Sequence, residues 1–164
     1  MSNEMYKKYQ EAIIFVFERY QNVQDDDKCE LFHTLDVGYE LIRYGYSADV
    51  VVAGFLHDIF EETTVSDQEV MALFGKQVVE YVRLVTKDDG PKDWYSKNED
   101  IIEACRAHSH EALALKAADV LVNGRYFENI GDEENVEKDR FMARAIVGGS
   151  CPEGAIFNDL KRYL

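Results

Sequence analysis

The sequence predicts an all-α protein, a bundle of helices packed at irregular crossing angles. Three observations predict it. Apolar residues recur at spacings of three and four along the chain, strand-like alternation is scarce, and the only two prolines, Pro91 and Pro152, leave long stretches without a breaker.

The elements follow in order. A first helix is expected over about Asn3 to Tyr20, with Ile13, Ile14, Phe17 and Tyr20 on one side, followed by a polar loop from Gln21 to Lys28. A second spans roughly Cys29 to Tyr44 and stops near Gly45, a residue type favoured just past a helix end. Ser47 stands where an N-cap is wanted. The third helix, Ala48 to Phe60, is apolar nearly all round through Val50, Val51, Val52, Ala53, Phe55, Leu56, Ile59 and Phe60, which marks it as central and buried. Ser66-Asp67-Gln68-Glu69 reads as a capping box opening a short helix to Phe74, ended by Gly75. A further helix carries Val78, Val79, Val82 and Val85, and a loop from Lys87 to Lys97 contains Asp88-Asp89-Gly90-Pro91. Helices then cover about Asn98 to Ala107, His110 to Asn129, and Val136 to Val147, the last stopped by Gly148-Gly149. A short C-terminal helix, Glu153 to Tyr163, is expected to pack on the outside.

With 164 residues and no repeat, linker or composition shift, residues 1–164 are read as one domain, long enough to bury a core. No apolar run approaches the roughly 18 residues of a membrane span, and the polar stretch Met1 to Gln10 lacks a secretory signal's apolar core. Cys29, Cys105 and Cys151 are odd in number and form no Cys-x-x-Cys, so a disulfide framework is not expected. These features place the protein in the cytoplasm. A net charge of −14 repels polyanions, which excludes DNA or RNA held along its backbone and leaves a small anionic ligand gathered by a local cluster of metal and Lys or Arg. Ten tyrosines leave a homo-oligomer open.

The chemistry concentrates at the end of helix three. His57-Asp58 follows Phe55-Leu56 and precedes Ile59-Phe60, and polar groups set in apolar surroundings cost several kcal/mol unless satisfied. One reading is a His–Asp pair hydrogen-bonded within the core. The other is a divalent metal, which satisfies both groups at once. Glu61 lies four residues after His57 and Glu62 four after Asp58, one turn further along the same face, where acidic groups orient or deprotonate a water. A solvated acidic helix end has the same spelling. His33 sits midway along helix two near Phe32, Leu35 and Leu41. Asp119 lies among Ala117, Ala118, Val120 and Leu121, with Lys116 and Asn123 on its face, and a local Lys116–Asp119 pair would also account for it. His108 and His110 flank Ser109, where a solvated turn competes with a second metal site, and Cys29 with His33 has a spacing of four that would permit a ligand pair on one helix.

Taken in order, His33, His57-Asp58 and Asp119 resemble the pattern of the HD superfamily of metal-dependent phosphohydrolases. The resemblance is closest to the hydrolase domains of RelA/SpoT-type enzymes and their small stand-alone relatives, which remove pyrophosphate from the 3′ position of (p)ppGpp. His57-Asp58-Ile59-Phe60-Glu61-Glu62-Thr63 looks like that branch's His-Asp-x-x-Glu-Asp-Thr, Val85-Thr86-Lys87 like its Val-Thr-Lys, and the stretch Leu115 to Asn123 like its Lys-Leu-Ala-Asp-Arg-Leu-x-Asn. The resemblance covers about residues 10 to 145. It implies an irregular helical bundle of the HD-domain type and one divalent metal, manganese first, with Mg, Fe, Co or Zn as alternatives. His33, His57, Asp58 and Asp119 would hold it, Glu61 and Glu62 would position the attacking water, and Lys116, Asn123 and Tyr126 would lie near a nucleotide substrate. The alternatives are a 5′-nucleotidase or other nucleotide phosphodiesterase, and a non-catalytic HD module that senses a nucleotide or binds a partner. The chain departs from the branch in four places. Gln24-Asp25-Asp26-Asp27-Lys28 stands where a basic segment is usual, Thr34 replaces Pro, Val120 and Val122 replace Arg and His, and Glu62 replaces Asp. The three carboxylates should repel a pyrophosphate.

Overall fold

A computed structural model describes residues 3–21, 23, 28–87, 90–148 and 152–164. The acidic stretch Asp25 to Asp27, the pair Asp88-Asp89, Gly149 and Cys151 lie outside the described residues. Among the described residues every regular element is a helix. None is long and apolar enough to cross a membrane. The chain divides into two compact units, Met1–Thr86 and Lys87–Leu164.

The first unit holds α1 (Asn3–Tyr20), α2 (Glu30–Arg43), α3 (Ala48–Leu56), α4 (Ile59–Glu62), α5 (Asp67–Phe74) and α6 (Lys76–Val85). α3 packs against α1, α2 and α6, and every residue from Val50 to Leu56 is buried, as its uniform apolarity requires. α2 meets α3 through glycines. A Cβ at Gly54 would stand 3.2 Å from the Gly38 Cα, and one at Gly38 would fall 2.2 Å from the Phe55 ring, so only hydrogen at both positions permits the approach. α1 buries Tyr9, Ala12, Phe15, Val16 and Tyr20. The expected face is corrected here: Ile14 and Phe17 are exposed, because the core follows the row Tyr9, Ala12, Val16, Tyr20, which two small or β-branched residues make narrow enough for α3. α5 opens with the capping box as read, Ser66 Oγ accepting from Glu69 N and Glu69 Oε2 from Ser66 N.

The second unit holds α7 (Trp94–His108), α8 (His110–Ile130), α9 (Glu133–Val147) and α10 (Ala155–Tyr163). α7 starts earlier than the sequence suggests because Asp93 caps it, its Oδ1 accepting from the amides of Tyr95 and Ser96. Ser109 caps α8 through Ala112 N, and Asp132 caps α9 through Asn135 N, so that α9 starts at Glu133, three residues before the expected Val136. α8 packs on α7, α9 and α10. The C-terminal helix is not an outer appendage: Ile156, Phe157 and Leu160 are fully buried and complete this unit's core.

Candidate metal centre

The site grows from the way α3 stops. The expected helix to Phe60 ends instead at Leu56. His57 turns its Nδ1 back to the Gly54 carbonyl oxygen at 2.9 Å, and Asp58 takes φ −98°, ψ 2°, the sparsely used bridge region. The chain restarts as α4 from the Asp58 carbonyl, which accepts from both Glu61 N and Glu62 N at 3.0 Å. Glu61 and Glu62 therefore stand on a separate short turn rather than one turn along a continuous helix, half-buried and exposed respectively. Arg83 of α6, stacked 3.9 Å over the Phe60 ring, ties that turn to the body of the unit.

The break brings three side chains to one point. His33 Nε2 lies 3.1 Å from His57 Nε2, His57 Nε2 lies 3.0 Å from Asp58 Oδ2, and His33 Nε2 lies 3.7 Å from the same oxygen. His33 and His57 are buried and Asp58 is half-buried. Ligands of a first-row cation, bonded at about 2.0–2.2 Å, stand about 3–3.5 Å from one another when cis, so these separations suit a shared ion. The tautomer suits it too. Nδ1 of His57 is the donor to Gly54, which leaves the Nε2 lone pair directed at the cluster, the arrangement by which an outer hydrogen bond orients a metal-binding imidazole. Two imidazoles and a carboxylate form a donor set that accepts Mn, Fe, Co, Zn or Mg.

Around this point the first unit gathers acid. Glu30, in the first turn of α2, is pushed by burial up to about 7, with Asp58 and Glu62 adding to the rise and Lys28 opposing it. Tyr20, at the end of α1, has its phenol raised by burial first and then by Asp58, Glu62, Glu30 and Glu61. Neither Tyr20 nor Glu30 stood out in the sequence as a site residue. The available signal was their register: Tyr20 closes the buried row of α1, and Glu30 lies one turn before His33. An open cleft of about 460 Å³ adjoins Glu62 and is lined also by Arg19, Val23, Thr63, Thr64, Val65 and Glu69.

Of the remaining sequence candidates, all but Cys29 lie in the second unit. Asp119 on α8 is buried, its Oδ2 accepting from Lys116 Nζ at 2.9 Å and its Oδ1 from Asn123 Nδ2 at 2.7 Å. The local Lys116–Asp119 pair is thus formed, with Lys116 itself buried. Tyr126 is half-buried, its ring edge-on to Phe127. Val120 is fully buried in the place of the family's Arg, and Thr34 bonds back to the Glu30 and Leu31 carbonyls in the place of its Pro. His110 Nε2 approaches the Glu153 carbonyl and His108 approaches Ser109 Oγ, both in an exposed turn. Cys29 precedes α2 on the surface, and the ligand cluster among the described residues consists of His33, His57 and Asp58 without it.

Comparison with known proteins identifies the family and the fold. The family model described as HD domain matches residues 12–143, a span that crosses both units. A Mycoplasma pneumoniae protein, named a probable guanosine-3′,5′-bis(diphosphate) 3′-pyrophosphohydrolase, is 31% identical over 123 residues, which are 68% of this chain and 16% of that protein. The zebrafish (Danio rerio) guanosine-3′,5′-bis(diphosphate) 3′-pyrophosphohydrolase MESH1 is 31% identical over 121 residues, 70% of this chain and 66% of the relative. The chain thus spans about a sixth of the bacterial relative and about two thirds of the zebrafish one. Among solved structures, a metazoan ortholog of SpoT described as hydrolysing ppGpp superposes with a TM-score of 0.78 at 25% identity, covering 95% of this chain and 93% of the other. Listeria monocytogenes lmo0812 superposes with a TM-score of 0.67 at 26% identity, covering 80% and 95%.

Proposed function

The chain belongs to the HD-domain family, and from that premise we propose that it is a metal-dependent phosphohydrolase removing pyrophosphate from the 3′ position of guanosine 3′,5′-bis(diphosphate). The observation that carries the reading is the convergence of His33 Nε2, His57 Nε2 and Asp58 Oδ2, with His57 locked in the tautomer that offers its lone pair. A divalent cation bound there, manganese first, lowers the pKa of water and offsets charge on phosphoryl oxygens. The chain's own residues do the rest. Glu61 and Glu62, held by the turn that starts at the Asp58 carbonyl, orient the attacking water and take its proton. The motif around Lys116 assigns Asp119 as a fourth ligand and Lys116, Asn123 and Tyr126 to the nucleotide. That assignment rests on the family pattern, as does the reading of the two units as one HD domain.

The test is release of pyrophosphate from ppGpp by the purified protein with Mn²⁺, compared with Asp58→Ala. Turnover lost in the variant supports the reading. Failure of the wild type on ppGpp, with cleavage of nucleoside monophosphates, would instead favour a 5′-nucleotidase, the reading that Asp25 to Asp27 support by opposing a pyrophosphate. Binding without any turnover would favour a sensing module. The location proposed is the cytoplasm, which suits Cys29 and Cys105 standing outside any disulfide. A homo-oligomer is the assembly to test by light scattering.

A further inference from the structure

α4 is four residues long, far too short to be stable by itself. Its backbone is tied at both ends: at the start by the Asp58 carbonyl, and at the finish by the Ile59 carbonyl, which accepts from both the amide and the hydroxyl of Thr63. The direction of the turn is left to its side chains. Ile59 is fully buried in the core and supplies one anchor. Phe60 supplies the second: its half-buried ring lies under the guanidinium of Arg83, whose Cζ stands 3.9 Å from the ring centre. Arg83 is itself held. Its Nε donates to Asp67 Oδ1 and Oδ2, each at 3.1 Å, and its Nη2 donates to Oδ1, so a carboxylate of α5 grips the flat guanidinium. Asp67 directly follows Ser66, whose capping box fixes the first turn of α5. Three elements are thus joined in series, α5 to α6 to α4. The side chains of Arg83 and Asp67 are 47% and 43% exposed, and an ion pair in that position adds little to global stability. What it adds is an angle, because Glu61 and Glu62 follow Phe60 on the same turn.

We propose that Arg83 is a positioning residue for the hydrolysis: its guanidinium, fixed by Asp67, clamps Phe60 and so sets the angle at which α4 presents Glu61 and Glu62 to the attacking water. The proposal rests on the roles given to Glu61 and Glu62 above, and adds a residue that none of the site motifs contains. Arg83→Met, made in the full chain, keeps a long side chain and removes the fork. Three measurements read its role: hydrogen exchange of the Glu61, Glu62 and Thr63 amides without metal, the affinity for Mn²⁺, and kcat and KM on ppGpp. Exchange at those three amides is expected to rise about two- to fivefold, the worth of an exposed cation–π contact, while the α3 amides and the melting temperature hold. Mn²⁺ affinity and KM hold as well, because His33, His57 and Asp58 all precede the turn, and kcat falls by the same factor as exchange rises. Phe60→Leu removes the ring instead and gives the same losses, and the double variant loses no more than either single one. Unchanged exchange or unchanged kcat in Arg83→Met overturns the proposal. So do losses that add in the double variant, or faster exchange spread equally over α3 and α4, which would mark general destabilisation. A wild type that turns over no ppGpp overturns the hydrolase reading instead, and the exchange data, which need no turnover, tell the two failures apart.

Discussion

His33 and His57 meet through their Nε2 atoms at 3.1 Å, with the two rings edge to face. With Nδ1 of His57 donating to Gly54, the neutral imidazole offers an Nε2 lone pair, which a proton from His33 or a bound cation would satisfy. His33→Ala is expected to weaken Mn²⁺ binding by at least the 10- to 100-fold typical of losing an outer partner, about two orders of magnitude for a ligand itself. Isothermal titration of the variant checks this, and an affinity equal to the wild type would remove His33 from the site.

Lys116 and Asp119 form a buried pair supported by Asn123. Removing one charge leaves the other buried without its counter-ion, so Lys116→Ala should cost about 3–5 kcal/mol in urea unfolding. Lys116→Met combined with Asp119→Leu should recover much of that loss. A single variant as stable as the wild type would mean that the pair carries little of the second unit's stability.

Glu30 sets a pH dependence. Its folded value is about 7 against an ordinary 4.5, so between those values the folded chain binds a proton that the unfolded chain has released. Folding then weakens as pH rises through this window: the penalty is absent below about 4.5 and complete above about 7. Glu30→Gln, examined without metal, should raise the melting temperature at pH 8 and leave it nearly unchanged at pH 4.5. Equal effects at both pH values would show that the carboxyl is solvated.

Phe157 is fully buried in the second unit. Phe157→Ala should cost about 3–5 kcal/mol through lost burial and the cavity left behind. A loss below about 1 kcal/mol would return α10 to the periphery, where its short amphipathic sequence first placed it.

That helix shows where the sequence was legible. Periodicity located α10, but whether Ile156, Phe157 and Leu160 cover a surface or fill a core depends on the facing helices, which no local pattern records. The same holds for α1, whose correct face was chosen by α3. The uniformly apolar α3 was readable because no orientation had to be chosen. At the site, His33, His57 and Asp58 were legible as residue types in order. The break after Leu56 was not, since the Gly54 carbonyl that captures His57 is a backbone atom.

The glycine contact between α2 and α3 has a mechanical consequence. His33 lies five residues from Gly38 and His57 three residues from Gly54, arms of about 7.5 and 4.5 Å at 1.5 Å per residue. The two helices are therefore arranged like a caliper, closest where backbone approaches backbone and with the imidazoles at the jaws. On the longer arm a rotation of about 1.5° moves an imidazole by about 0.2 Å, roughly the tolerance of a metal–ligand bond. Gly38→Ala would wedge the pivot at a cost of about 1–3 kcal/mol, and the jaws would open before the fold failed. For the cation proposed between His33 and His57, the ligand spacing would follow the angle between two helices, set by the absence of methyl groups at positions 38 and 54.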